Sequence, residues 1–277
     1  MEILKTIDET ARAQFRLDTN CPKEIEDEYR IMINPSANLP GSRRPYGMTS
    51  DFRAIIYKGD LYMMAGKSLY EWAKSKYSLF SPEWFCKFPN LRELDNELQK
   101  SGHELFDTHI YFLPDPDFDE PEMDCPYDFK WYDEWDIAIR FSNQNPFPHA
   151  FCFDKNLPDI LGIVAYDGLC PIAAAGASFD GKYMRQIGID VKEEYRHHGL
   201  AVFLVTMLKN KILEMGLLPF YGTSESHILS QDTAIRCGFL PAWCEIYAQS
   251  KYKARSIFTA NNNIPAAFTV NRSKLFI

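Results

Sequence analysis

Residues 186–201 constrain this chain more than any other stretch. They read as a buried apolar strand carrying Ile187, Ile189 and Val191, a short charged turn, and then one glycine, Gly199, opening a long apolar helix. A turn of this kind aims several backbone N–H groups at one spot in front of a helix N-terminus. That spot is suited to a phosphate or pyrophosphate. The first expectation is therefore a phosphorylated cofactor held at residues 196–201.

Composition narrows the partners. Of 277 residues, 46% are hydrophobic and 25% charged, enough apolar mass for one large domain or two small ones. The formal net charge of −8 argues against nucleic acid as a partner, which needs a basic footprint. An acidic chain holds an anionic cofactor locally, through backbone dipoles and a few cations, and its second substrate can be a cation such as an amine. The seven cysteines form no C-x-x-C pair, so the spacing suggests neither a metal site nor a disulfide framework. Reduced thiols in a cytoplasmic protein are the simple reading. The acidic, amphipathic start is unlike a signal peptide, and no run reaches the ~20 apolar residues of a membrane span.

Residues 2–17 carry apolar side chains at helical spacing, and Cys21-Pro22 followed by acids reads as a second helix start. Residues 34–50 read as a loop. Two strands flank Lys58-Gly59-Asp60, helices are expected over 68–77 and 81–88, and Leu91, Leu94 and Leu98 mark a third helix closed by Gly102. A strand follows over 104–113. Residues 114–128 hold four prolines and seven acids, which excludes a helix interior or a central strand. A domain boundary is placed there, with an N-terminal α/β domain over 1–113, a linker over 114–128 and a second domain over 129–277.

The pattern then restarts. Strand 129–132 leads to helix 133–141, and strands 160–166 and 171–179 are joined by Asp167-Gly168, a hairpin turn signal. Strand 185–191 precedes helix 201–215, whose Leu204, Val205, Leu208 and Ile212 share one face. Strand 219–224, a short helix 230–237 capped by Ser230, and strand 241–248 complete the run, with a further strand expected over 266–270. The chain has no G-x-G-x-x-G after a first strand and no P-loop, so the common nucleotide sites are disfavoured.

Arg196-His197-His198-Gly199-Leu200-Ala201 matches the Arg/Gln-x-x-Gly-x-Gly/Ala pyrophosphate motif, and residues 227–239, ending in Gly238-Phe239, look like a second cofactor helix. Over about residues 126–250 the chain resembles the GNAT superfamily of acyl-CoA-dependent N-acyltransferases. The resemblance implies an α/β (α+β) fold: a mixed, mostly antiparallel sheet flanked by helices. The additional N-terminal α/β domain is expected to be a degenerate GNAT-like half. It implies acetyl-CoA as cosubstrate, no metal, and direct attack by a primary amine of a small molecule or peptide in a ternary complex. The pantetheine arm would bond Ile189 and Val191, and the pyrophosphate would rest on the N–H groups of His198, Gly199, Leu200, Ala201 and Val202, with Arg196 and Ser230 also on the cofactor side. A backbone N–H of 189–191 would hold the oxyanion.

The resemblance also marks departures. The family's frequent tyrosine acid falls at Ala234, and its asparagine at His227, while the following serine is kept as Ser230. Tyr221, Ser226, Ser230 and His227 are the replacement acids by position. Glu225, Asp190 and His227 are the candidate bases, each with a bland alternative: a solvated loop acid for Glu225, a paired structural carboxylate for Asp190, a helix cap for His227. The competing function is a non-catalytic acyl-CoA-binding sensor, kept open by Ala234. No membrane or nucleic-acid partner is expected, a homodimer is one candidate assembly, and the acceptor stays open.

Overall fold

A computed structural model describes residues 6–22, 30–44 and 50–251. The expected second helix after Cys21 and the strand over 266–270 lie outside the described residues. The first half contains α1 (Ile7–Asp18), β1 (Ile31–Pro35), the hairpin β2 (Phe52–Tyr57) and β3 (Asp60–Ala65), α2 (Tyr70–Tyr77), α3 (Phe88–Lys100) and β4 (His103–Pro114). The second half contains β5 (Asp128–Asp133), α4 (Glu134–Phe141), β6 (Asp159–Asp167), β7 (Cys170–Phe179), β8 (Met184–Val191), α5 (Leu200–Glu214), β9 (Leu218–Thr223), α6 (Ile228–Arg236) and β10 (Phe239–Ser250).

Two local differences from the sequence reading have clear causes. The helix expected over 81–88 shrinks to a 3₁₀ turn, Pro82–Trp84. Pro89 has no N–H to continue a helix through that stretch, and the Asn90 side chain takes over the Phe85 carbonyl at 2.7 Å. Residues 31–35, partly read as loop, form β1, which adds to β3 in parallel.

Among the described residues the ten strands join one mixed sheet in the order β1-β3-β2-β10-β4-β9-β8-β7-β6-β5. Pairing is antiparallel except between β1 and β3 and between β8 and β9. Side chains alternate across the pleat, so each face has its own cover. On one face α1 packs Ala11 and Phe15 against Tyr111, Phe220 and Trp243, and α4 packs Ile137 and Phe141 against Val164 and Ala174. On the other, α2 and α3 cover Leu61 and Ile246, and α5 covers Ala173, Ala175 and Ile187. Leu204, Val205, Leu208 and Ile212 of α5 are all buried there, as their spacing predicts.

The expected boundary at 114–128 falls inside this sheet's span. Strand β4, from before it, lies between β9 and β10, from after it, and β10 also pairs with β2. The acidic segment itself packs on α5. Glu120 meets Lys209 at 2.6 Å and accepts a hydrogen bond from Asn210 at 2.8 Å, and Met123, Cys125 and Tyr127 lie against the α5 core. That contact explains why α5 is apolar on more than its sheet-facing stripe. Among the described residues no helix is long and apolar enough to cross a membrane.

This topology makes a direct prediction. A chain of residues 114–277 lacks β4, so β9 and β10 lose the strand that joins them and expose unpaired edges. It is expected to be insoluble, and co-expression with residues 1–113 should restore soluble material. A soluble 114–277 fragment that unfolds cooperatively would refute the structural dependence.

Candidate functional site

The site begins where a strand pair stops. Parallel pairing of β8 with β9 runs from Met184–Leu218 to Ile187–Tyr221, whereas β7 accompanies β8 as far as Val191. From Gly188 onward β8 therefore has a partner on one side only, and a gap opens between it and the β9–β4 edge. Ile189 and Val191, the predicted pantetheine contacts, line that gap with their main chain on the unpartnered side.

At the end of β8 the chain makes a 3₁₀ turn, Glu193–Tyr195, and becomes extended at Arg196, whose Nε donates to the Val191 carbonyl at 3.2 Å. His197 (φ 65°) and Gly199 (φ 79°) are both left-handed. Alternation of this kind turns successive N–H groups toward one concavity. The first hydrogen bond inside α5 is Phe203 N–H to Gly199 O at 3.0 Å, so the N–H groups of Leu200, Ala201 and Val202 precede the helical ladder. A Cβ at Gly199 would meet nothing within 4 Å, which means the approach to these donors is clear. The sequence thus folds here into an anion cradle because only glycine adopts this φ cheaply and leaves the space open.

A cavity of about 310 Å³ fronts the turn, bounded by His198, Gly199, Pro121, Met123, Cys125 and Arg236. Two of its walls were not expected. The acidic segment, read as a linker, supplies one. The other is Arg236, the last residue of α6, exposed and 4.0 Å from Asp232. Its signal in the sequence was its place just before Cys237-Gly238-Phe239.

The catalytic candidates divide between the two sheet faces. Tyr221 is buried, and its hydroxyl lies 2.9 Å from the Ser230 Oγ, with Ala234 in the same buried cluster. Burial pushes the Tyr221 phenol up, the Ser230 hydrogen bond opposing this only in part, so it stays protonated through the neutral range. Ser230 is inside α6 and not its cap. The N-cap is His227, which makes no side-chain cap hydrogen bond, because the helix begins two residues earlier than read. Glu225 and Ser226 are exposed on the loop between β9 and α6, where the Glu225 carbonyl accepts from Gln231 at 2.9 Å.

Asp190 lies on the opposite face. Its Oδ2 accepts the backbone N–H of His149 at 2.6 Å and of Ala150 at 3.0 Å, and its Oδ1 is 3.8 Å from His149 Nε2. Burial raises the Asp190 carboxyl, while His149, the two N–H groups and Arg196 work in the other direction. The segment it holds crosses the sheet at backbone distance: a Cβ on Gly188 would sit 2.0 Å from the His149 carbonyl oxygen. His149 carried no signal in the sequence, since its contact with β8 spans about 40 positions.

No family model matches the chain, and no curated protein matches it. Solved structures do align with it. Among them are an acetyltransferase from the GNAT family of Colwellia psychrerythraea (13% identity, 53% of this chain and 56% of that one, TM-score 0.38). Another is a GCN5-related N-acetyltransferase from Kribbella flavida (15% identity, 56% and 62%, TM-score 0.39). A third is a tandem GNAT protein from the clavulanic acid biosynthesis pathway (13% identity, 56% and 57%, TM-score 0.39). The chain spans between about half and two thirds of the length of these structures. At TM-scores this low the likenesses carry no argument about chemistry. The GNAT-like fold rests on the chain's own topology: an antiparallel run β5 to β8, a glycine turn into α5, and a parallel β8–β9 pair that parts midway.

Proposed function

We propose that the protein is an acyl-CoA-dependent N-acyltransferase that moves an acetyl group from acetyl-CoA to the primary amine of a small molecule or peptide. The observation that carries this reading is the left-handed turn at His197 and Gly199 before α5, fronted by a cavity and following the strand β8 whose last residues lie beyond its pairing with β9. A diphosphate fits such a cradle by charge and by hydrogen bonding. Arg196 and Arg236 add cations to an otherwise acidic chain, and Ser230 lies one hydrogen bond from the Tyr221 hydroxyl.

Acetyl-CoA, when bound, supplies an activated thioester. The protein's own part is positioning, charge stabilisation and proton handling. The β8 main chain at Ile189 and Val191 aligns the pantetheine arm, and a backbone N–H of 189–191 stabilises the negative charge developing on the acyl oxygen. Tyr221, whose hydroxyl is held by Ser230 beside Ala234, is the candidate for the acid that Ala234 cannot supply. Glu225 and His227, on the loop beyond the end of β9 and therefore at the open end of the sheet, are the candidate groups for receiving the ammonium proton, directly or through Ser226 and water. A cytoplasmic setting agrees with seven free cysteines.

The test is release of free thiol from acetyl-CoA across a panel of amines. Release dependent on one amine class is expected. Stabilisation by acetyl-CoA with no turnover on any amine would instead favour a cofactor-binding sensor, the reading that Ala234 allows.

A further inference from the structure

Resting on the acyl-transfer reading, we propose that Asp190 is a positioning residue that fixes residues 149–151 as a wall of the acceptor cleft, and that it does not itself take the amine's proton. The cofactor cradle belongs to the sheet face covered by α5 and α6. An acceptor that meets a thioester lying in the β8 gap must then come from the other face, because the first is occupied by helices and the cofactor arm. Asp190 projects on that other face, which Gly188, two residues earlier on β8, and Ala174, the register partner of Asp190 on β7, share.

Three contacts converge there. The Asp190 Oδ2 takes two consecutive backbone N–H groups, those of His149 and Ala150. The absence of a side chain at Gly188 lets the His149 carbonyl lie directly on β8, and Gly176, its register partner on β7, does the same for the Ala150 carbonyl. Phe147 and Phe151, either side, are fully buried against α4, which pins both ends of the segment. Between these anchors the His149 side chain is about a third exposed, at 31%, and Asp190 about half that, at 16%. The Asp190 Oδ2, accepting two backbone N–H groups, has its lone pairs committed, and only Oδ1, 3.8 Å from His149 Nε2, is left over; two main-chain bonds on one oxygen suit an anchor. A loop held in this way beside the gap sets where an amine can stand.

Asp190→Asn separates the two roles. An amide oxygen still accepts both N–H groups but cannot take a proton, so a positioning role predicts kcat within about threefold of the parent. Asp190→Ala removes the anchor and is expected to raise the KM for the amine about tenfold or more, with acetyl-CoA stabilisation unchanged. Loss of about a hundredfold in kcat for Asp190→Asn at unchanged KM would make Asp190 the base and overturn the proposal. A readout independent of turnover guards against failure of the acyl-transfer reading itself. Hydrogen exchange at the His149 and Ala150 amides should quicken in Asp190→Ala and stay slow in Asp190→Asn. Unchanged exchange in Asp190→Ala would equally refute the anchor.

Discussion

Replacing Gly199 with Trp is expected to abolish stabilisation by acetyl-CoA while leaving a folded protein. The two halves of that statement have separate causes. A Cβ at this position contacts nothing within 4 Å, so the new side chain enters open space and displaces no core atom. The cost to the fold is confined to a non-glycine residue at φ 79°, on the order of 1–2 kcal/mol. The same open space is the approach to the N–H groups of Leu200 to Val202, and an indole there blocks it. With the parent protein, ligand at a hundredfold excess over Kd should add about 2.7 kcal/mol of stability, read as a thermal shift. The variant should show none, with Gly199→Ala intermediate. A full shift in Gly199→Trp would move the cofactor away from this turn.

Glu245→Ala should be strongly destabilising. Asp18, Arg43, Arg53 and Glu245 form a buried four-charge cluster between α1 and the β2–β10–β4 part of the sheet. Arg43 Nη2 meets Glu245 at 2.9 Å and Arg43 Nε meets Asp18 at 2.6 Å. Arg53 also pairs with Glu245, and Trp243 donates to it at 3.1 Å. Arg43 lies against the rings of Phe15, Phe220 and Trp243 and is buried, so its charge is poorly hydrated. Truncating Glu245 strands one positive charge, at a cost of about 3–5 kcal/mol, which urea unfolding would measure.

The same cluster sets an acid limit. Burial works to raise the Glu245 carboxyl, but Arg43 and Arg53 outweigh it and hold the group below its ordinary value of 4.5. A carboxylate depressed in the folded state contributes stability that is full above its unfolded value and is lost as pH falls toward the folded one. Unfolding free energy should therefore drop as pH falls below about 4.5, with a shallower drop in Glu245→Gln. An equal slope in both would show that other carboxylates govern acid unfolding.

Much of the second half was legible because its signals are local. Hydrophobic periodicity and turn residues within a few positions define β5 through β9, and the structure places each within a residue or two of its expected bounds. The glycine turn was legible for the same reason, as φ at Gly199 and the N–H groups behind it belong to one short stretch. The missed features are those whose partners are distant in the chain. Arg43 and Glu245 are 202 positions apart, and neither shows a pattern that names the other. Asp190 could be read as a base or as a paired carboxylate, and only the arrival of His149 and Ala150 shows what it holds.

The segment 114–128 illustrates the limit most sharply. Its prolines and acids correctly exclude regular structure, and residues 115–127 contain none. Composition cannot say, however, whether such a segment separates two units or lies along one. Here Glu120 bonds to α5 and Cys125 borders the cavity before Gly199, so a stretch with no periodicity becomes a wall of the site.

Residue order alone determined the strand–glycine–helix turn and the helices and strands around it, because each depends on neighbours in the chain. Only the tertiary structure decided that β4 from the first half completes the second half's sheet, that Tyr221 and Ser230 meet beside Ala234, and that the Asp190 carboxylate meets the His149 and Ala150 N–H groups. Those depend on which distant surfaces pack together, and burial patterns record that a face is covered without recording by what.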